Sequence, residues 1–152
     1  GLAQKVQSLL AQGTDANAAD ENSRTALMLA AFNGHTHAVR ELIKNGAEIN
    51  TLDQIGRTAL IYAASGPNKD VVQLLLEHEA SPNIVDKAEE FTALMFAAAE
   101  GHAQVVQVLM EHGADASLKD IDGETAYDFA VNNGHAQVAK TLTEAHAEKP
   151  LK

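Results

Sequence analysis

The sequence predicts an all-α solenoid, a single row of short helix–turn–helix units joined by hairpin-like loops. Three observations carry that prediction. The stretch Thr25-Ala-Leu-Met-Leu-Ala-Ala31 returns as Thr58-Ala-Leu-Ile-Tyr-Ala-Ala64, Thr92-Ala-Leu-Met-Phe-Ala-Ala98 and Thr125-Ala-Tyr-Asp-Phe-Ala-Val131, at intervals of 33, 34 and 33 residues. A fixed period of this length means one supersecondary unit stacked on copies of itself. Between the copies runs a second apolar pattern that closes on Gly, as in Ala38, Val39, Leu42 and Ile43 followed by Asn45-Gly46. Aromatic residues are few and there is no Trp, so Ala, Leu and Val must form the core, which suits thin helices packed closely.

Residues 1–19 read as half of the unit that follows. Val6, Leu9, Leu10, Gly13 and Asn17 each stand 33 residues before Val39, Leu42, Ile43, Gly46 and Asn50. The spacing of Val6, Leu9 and Leu10 marks one apolar helix face, and Gly13 is placed to stop the helix in a left-handed cap. Gln4, Lys5, Gln7 and Gln12 keep the other side polar, as the end of a stacked array requires.

The first full unit spans residues 20–52. Asp20-Glu21-Asn22-Ser23-Arg24 is a turn-rich connector, and Thr25 is an N-cap for the first helix, its hydroxyl facing free N–H groups. Asn33-Gly34 ends that helix. The second helix, carrying Ala38, Val39, Leu42 and Ile43, ends at Asn45-Gly46. Both helices are short enough to need neighbours to persist.

Helix, tight turn, helix and finger-like turn at this period resemble the ankyrin repeat. The family pattern, roughly D-x-x-G-x-T-P-L-H-x-A-A-x-x-G-H…V-V-x-L-L…G-A-D-x-N, is matched best by Asp120–Val138 and by Gly101-His102 through Ala114-Asp115. The resemblance implies a half-repeat at 1–19, repeats at 20–52, 53–85 and 86–119, a C-terminal capping repeat at 120–145 and a flexible tail at 146–152. It implies an ankyrin solenoid with short β-hairpin-like finger loops. Ala26, Ala59, Ala93 and Ala126 replace the family's proline, which loses the preset φ at the first helical position. Met28, Ile61, Met95 and Asp128 replace its histidine; Met and Ile offer packing, and Asp128 suits a helix N-terminus.

The irregularities fall in the second and third repeats. Pro67 stands where the other turns have Gly34, Gly101 and Gly134, so that turn should differ. Glu79 replaces the cap glycine, at a cost on the order of 1 kcal/mol in a left-handed position. The connector from Asp86 to Phe91 holds one extra residue. Drift tolerated in loops and fingers reshaped for a partner both account for these departures. In the last repeat Lys140, Thr141, Thr143 and Glu144 keep the final helix polar outside.

Eleven Lys and Arg face 21 Asp and Glu, a net charge of −10. Such a surface repels nucleic-acid backbones and anionic membranes and attracts a basic partner. Without Cys there is no disulfide, thiol nucleophile or cysteine zinc site. The chain starts at Gly1 without a basic-then-apolar leader, so a signal was removed or never existed; a cytoplasmic site and a periplasmic or secreted one both remain open, and a monomer is expected.

The chemistry of catalysis has little to stand on. His35, His102 and His135 occupy the family's Gly-His turn position, and His78 and His112 sit at helix ends where a partly positive ring is favoured. His35 and His37 point to different helical sides. Asp120-Ile-Asp-Gly-Glu124 opens like a calcium loop, yet its twelfth position is Val131, not the required Glu, which leaves a finger turn. Ser8, Ser23, Ser65, Ser81 and Ser117 lie in no nucleophile motif. No cofactor is expected, and a metal-dependent enzyme is the contrasting class.

Ankyrin proteins meet partners at the finger tips and the exposed side of the first helices. Mapped onto this chain, the strip is Glu21, Asn22, Arg24, Phe32 and Asn33, then Gln54, Ile55, Arg57 and Ser65. Lys87, Glu89, Phe91 and Glu100 follow, and Ile121, Asp122, Glu124, Asn132 and Asn133 end it. Phe32, Ile55, Phe91 and Ile121 are bulky apolar residues at positions normally exposed. With Arg57 they are candidate anchors for a protein partner, against the alternative of scattered surface hydrophobes. The resemblance implies a non-enzymatic protein-binding module. A narrower version, by analogy with compact stand-alone ankyrin proteins of bacteria, is an inhibitor or protective factor that occludes the active site of a basic enzyme.

Overall fold

A computed structural model describes the backbone of residues 1–147 and the side chains of residues 1–144. Its helices are α1 (Leu2–Ala11), α2 (Ala26–Phe32), α3 (Thr36–Lys44), α4 (Ala59–Ala64), α5 (Lys69–Glu77), α6 (Ala93–Ala99), α7 (Ala103–Glu111), α8 (Ala126–Asn132) and α9 (Ala136–Ala147). The short first helices α2, α4, α6 and α8 stack on one another in one layer. The second helices α1, α3, α5, α7 and α9 stack in the other. The core lies between the layers, built from Leu27, Leu60 and Leu94 on one side and Val39, Val72 and Val106 on the other. The expected flexible tail lies, beyond Ala147, outside the described residues.

Helices of six or seven residues do not persist alone, and their first turns are secured by the recurring threonine. The Thr25, Thr58, Thr92 and Thr125 hydroxyls accept the backbone N–H of Met28, Ile61, Met95 and Asp128 at 3.2–3.4 Å. Each such cap contributes about 1 kcal/mol. Three of the four residues in place of the family's histidine do more than pack. The Met28 and Met95 sulfurs accept the N–H of Thr25 and Thr92, each at 3.4 Å. Asp128 accepts both the N–H and the hydroxyl of Thr125, at 2.8 and 2.7 Å, and these bonds hold its carboxyl below the usual range.

Second helices end in a left-handed residue, Gly13, Gly46 and Gly113 at φ +86° and Glu79 at φ +67°. An asparagine from the preceding unit then ties down the ends at Gly46, Glu79 and Gly113. Asn17, Asn50 and Asn83 donate to the carbonyls of Gly46, Glu79 and Gly113 and accept the N–H of Glu48, Ser81 and Asp115. Ser117 occupies the next position in this series, and its N–H and hydroxyl turn to Asp115 Oδ1 instead.

The turn at Pro67 differs as its sequence requires. In the other repeats His35, His102 and His135 donate a backbone N–H to the carbonyls of Ala30, Ala97 and Ala130. In the second repeat the side chain of Asn68 reaches the Ala63 carbonyl instead, and also those of Ala31 and Phe32. This approach needs Gly34, because a Cβ there would lie 2.5 Å from Asn68 Oδ1. The helix before the turn, α4, is one residue shorter than α2.

At the N-terminal end the apolar face of α1 is narrower than its spacing implies. Val6 and Leu10 pack against the core, but Leu9 is 44% exposed, since among the described residues α1 packs chiefly on α3.

Candidate functional site

The fingers begin with an aspartate whose side chain folds the turn. Asp20, Asp53 and Asp120 each accept, through Oδ1, the N–H groups two and four residues on. Asp86 accepts those of Glu89 and Phe91, which accommodates the extra residue. The turn apex takes a left-handed backbone at Ser23, Gly56, Glu90 and Gly123. Consecutive fingers are then bonded tip to tip: Gln54 N–H to the Asn22 carbonyl, Lys87 N–H to Ile55, and Ile121 N–H to Glu89. The result is a continuous, rigid rail along one edge of the first-helix layer.

Side chains of the rail step forward onto the next unit. Arg57 pairs with buried Asp86 at 3.1 Å and lays its guanidinium 4.8 Å from the centroid of the Phe96 ring. Phe91, at the same register one unit later, packs on Phe96 and Phe129 with centroids 5.2 and 4.8 Å apart. Arg24 turns back to its own Asp20 at 2.8 Å. That contact and the Arg24 backbone N–H, the larger influence, hold the Asp20 carboxyl below its usual range. Tyr62 donates its hydroxyl to Asp53 Oδ2 at 2.7 Å. Burial, followed by this bond, pushes Tyr62 up to about 12.

The expected anchors therefore separate into two kinds. Phe32 and Ile55 are 54% and 45% exposed, and Ile121 is exposed too. Phe91 is half-buried in an aromatic cluster, and Arg57 is held by Asp86 and Phe96; neither is a free anchor, because each already packs on the following unit. Ser65 caps α4 and donates to the Tyr62 carbonyl, and Glu124 accepts from Asn132. Glu21, Asn22, Asn33, Gln54, Lys87, Glu89, Glu100 and Asp122 are exposed along the strip.

Four residues of this face were not singled out from the sequence: Leu29, Tyr62, Phe96 and Phe129. They share one register, the fifth position of the Thr-Ala-Leu stretch. The buried residues of α2 are Leu27, Met28, Ala30 and Ala31, so Leu29 falls on the opposite side, three residues before Phe32. Helical phase was the signal that identifies them. Phe32 meets Tyr62 edge-on with ring centroids 6.0 Å apart. Tyr62 and Ile55, with Asn22, Arg24, Asp53 and Gln54, line an open notch of about 160 Å³. That is smaller than a small-molecule pocket of roughly 300–1,000 Å³, and it suits one side chain of a partner.

Three histidine rings bond to helix and turn carbonyls. His78 and His112 place Nδ1 2.9 Å from the carbonyls of Leu74 and Val108, and His135 Nε2 is 3.0 Å from that of Ala99. A carbonyl only accepts, so each ring carries its proton on that nitrogen. Among the described residues no three His, Cys, Asp or Glu side chains are placed to hold a metal ion, and no helix is long and apolar enough to cross a membrane.

Compared with protein families, residues 1–86 and 68–152 each match "Ankyrin repeats (3 copies)". No curated protein matches the chain.

Proposed function

The chain belongs to the ankyrin repeat family, whose repeats are protein–protein interaction modules and are typically non-enzymatic, and on that premise we propose that it captures a partner protein on the face formed by its fingers and first helices. One observation carries the reading. Phe32, Tyr62 and Ile55 form a connected, solvent-facing apolar patch around a notch, flanked by polar Asn22, Asn33 and Gln54. Apolar anchors inside a polar rim are the makeup of a binding hot spot. Its test is the double substitution Phe32→Ser with Ile55→Ser. Partner capture should be lost with helicity and unfolding midpoint unchanged; capture at full affinity would remove the assignment of this face.

The rigid rail of fingers supports a narrower reading, in which the protein inhibits or protects by laying the rail into the cleft of a basic enzyme. A preorganised edge loses little entropy on docking. Stoichiometric addition should then suppress the partner's activity, and undiminished activity would leave binding without inhibition.

A further inference from the structure

Charge is unevenly distributed along the face. In the first two repeats the two arginines of the face are paired, Arg24 with Asp20 and Arg57 with Asp86 of the third repeat, and the exposed apolar residues Leu29, Phe32 and Ile55 stand beside one exposed carboxylate of the strip, Glu21. In the last two repeats Glu89, Glu90, Glu100 and Asp122 are exposed, against one exposed lysine, Lys87, and one exposed apolar residue of the strip, Ile121. Among the described residues none of these four carboxylates pairs with a cation. The half-buried rings of Phe91, Phe96 and Phe129 lie in the same two repeats. One of these rings already carries a guanidinium, that of Arg57 over Phe96, so the stripe is chemically suited to cationic side chains.

We infer that the face is polarised along the solenoid axis, and that its occupant is a segment of a partner protein with two blocks: an apolar or aromatic anchor seated at Phe32, Tyr62 and Ile55, and a run of Lys and Arg lying over the third and fourth repeats. The inference rests on the docking face proposed above. Charge complementarity sets which way round the segment lies, and it accelerates association more than it tightens the complex. The apolar block supplies the part of the affinity that survives high salt, because exposed charge pairs are screened within about 3 Å at 1 M ionic strength.

The test uses the whole chain and two fluorescent synthetic peptide designs of identical composition. The blocked design joins a Leu/Trp block to a Lys/Arg block and is made in both chain orders; the other design alternates the same residues. Fluorescence anisotropy is read for the unmodified protein, for a neutralised variant (Glu89→Gln, Glu90→Gln, Glu100→Gln, Asp122→Asn) and for Phe32→Ser with Ile55→Ser. A photo-crosslinker on the apolar block reports orientation. The blocked peptide should bind about tenfold more tightly than the alternating one and crosslink to the first two repeats. Neutralisation should weaken it roughly ten- to thirtyfold at low salt, four exposed pairs being removed, and should flatten its salt dependence. Equal binding of both peptides, no binding of either, or crosslinks to the last two repeats overturns the polarity. Where the native partner is lost on changing Phe32 and Ile55 but is indifferent to neutralisation, the docking face stands and the polarity falls. Indifference to both removes the face itself.

Discussion

Arg57 leaves its own finger to lie 4.8 Å over the ring of Phe96 in the next repeat, while its Nε donates to Asp86 at 3.1 Å. The carboxylate it meets is fully buried, so the pair joins two repeats at a place where water cannot substitute. Removing the arginine leaves that charge without its cation. Arg57→Ala should therefore destabilise the array by about 1–3 kcal/mol, combining lost stacking with an uncompensated carboxylate. Arg57→Lys should recover only part of this, since an ammonium cannot stack flat. Urea unfolding measures both, and an Ala variant as stable as the parent protein would deny the coupling.

Phe91 and Phe32 should respond oppositely to the same change. Phe91 is packed on Phe96 and Phe129, so Phe91→Ser should cost about 1–3 kcal/mol, below the full-burial figure because the ring is only half-buried. Phe32→Ser should cost less than about 0.5 kcal/mol in stability and act on binding. Equal stability losses in thermal unfolding would contradict the division between structural and docking aromatics.

Glu79→Gly should stabilise the protein by about 1 kcal/mol, because Glu79 holds φ +67° where its siblings are glycine. The bond from Asn50 to its carbonyl is a backbone contact and survives the change. A shift of the denaturation midpoint downward would mean that the Glu79 side chain matters in its own right.

Asn68→Ala should destabilise by about 1–2 kcal/mol, since its amide donates to the Ala31 and Phe32 carbonyls of the neighbouring repeat. Hydrogen exchange should show the loosening at the end of α2. An unaltered exchange pattern there would show that the amide does not bridge the repeats.

Tyr62 provides a titration test. Its folded value is about 12 against an ordinary 10.0, so the folded state holds the phenolic proton more tightly than the unfolded chain. The associated stability is complete below pH 10 and lost as pH rises towards 12. In a Tyr127→Phe background the tyrosinate absorbance reports Tyr62 alone, the chain having two tyrosines; a midpoint near 10 would contradict both its burial and the bond to Asp53. At the acid end the sign reverses. Asp20 and Asp128 are held below 3.8, so their contribution is present above that value and disappears as pH falls through their lowered folded values.

The architecture was legible because it repeats: every Thr cap, left-handed helix end and finger aspartate appears several times, and local chemistry dictates each one. The docking face was less so. Exposure of Phe32 and Ile55 follows from local register, but the fate of Arg57 and Phe91 depends on residues one repeat away, Asp86 with Phe96 and Phe129. Tyr62, Phe96 and Phe129 were concealed inside the very stretch that defines the repeat, where a helical phase count separates Tyr62 and Phe96 from the buried Leu60 and Leu94 two places earlier.

The central claim, that a partner docks on fingers and first helices, is tested most directly by hydrogen–deuterium exchange of the protein with and without its native partner. Protection should appear in the fingers at 20–24 and 53–57 and in α2 and α4, leaving α3, α5 and α7 unchanged. Protection confined to those second helices would contradict the account.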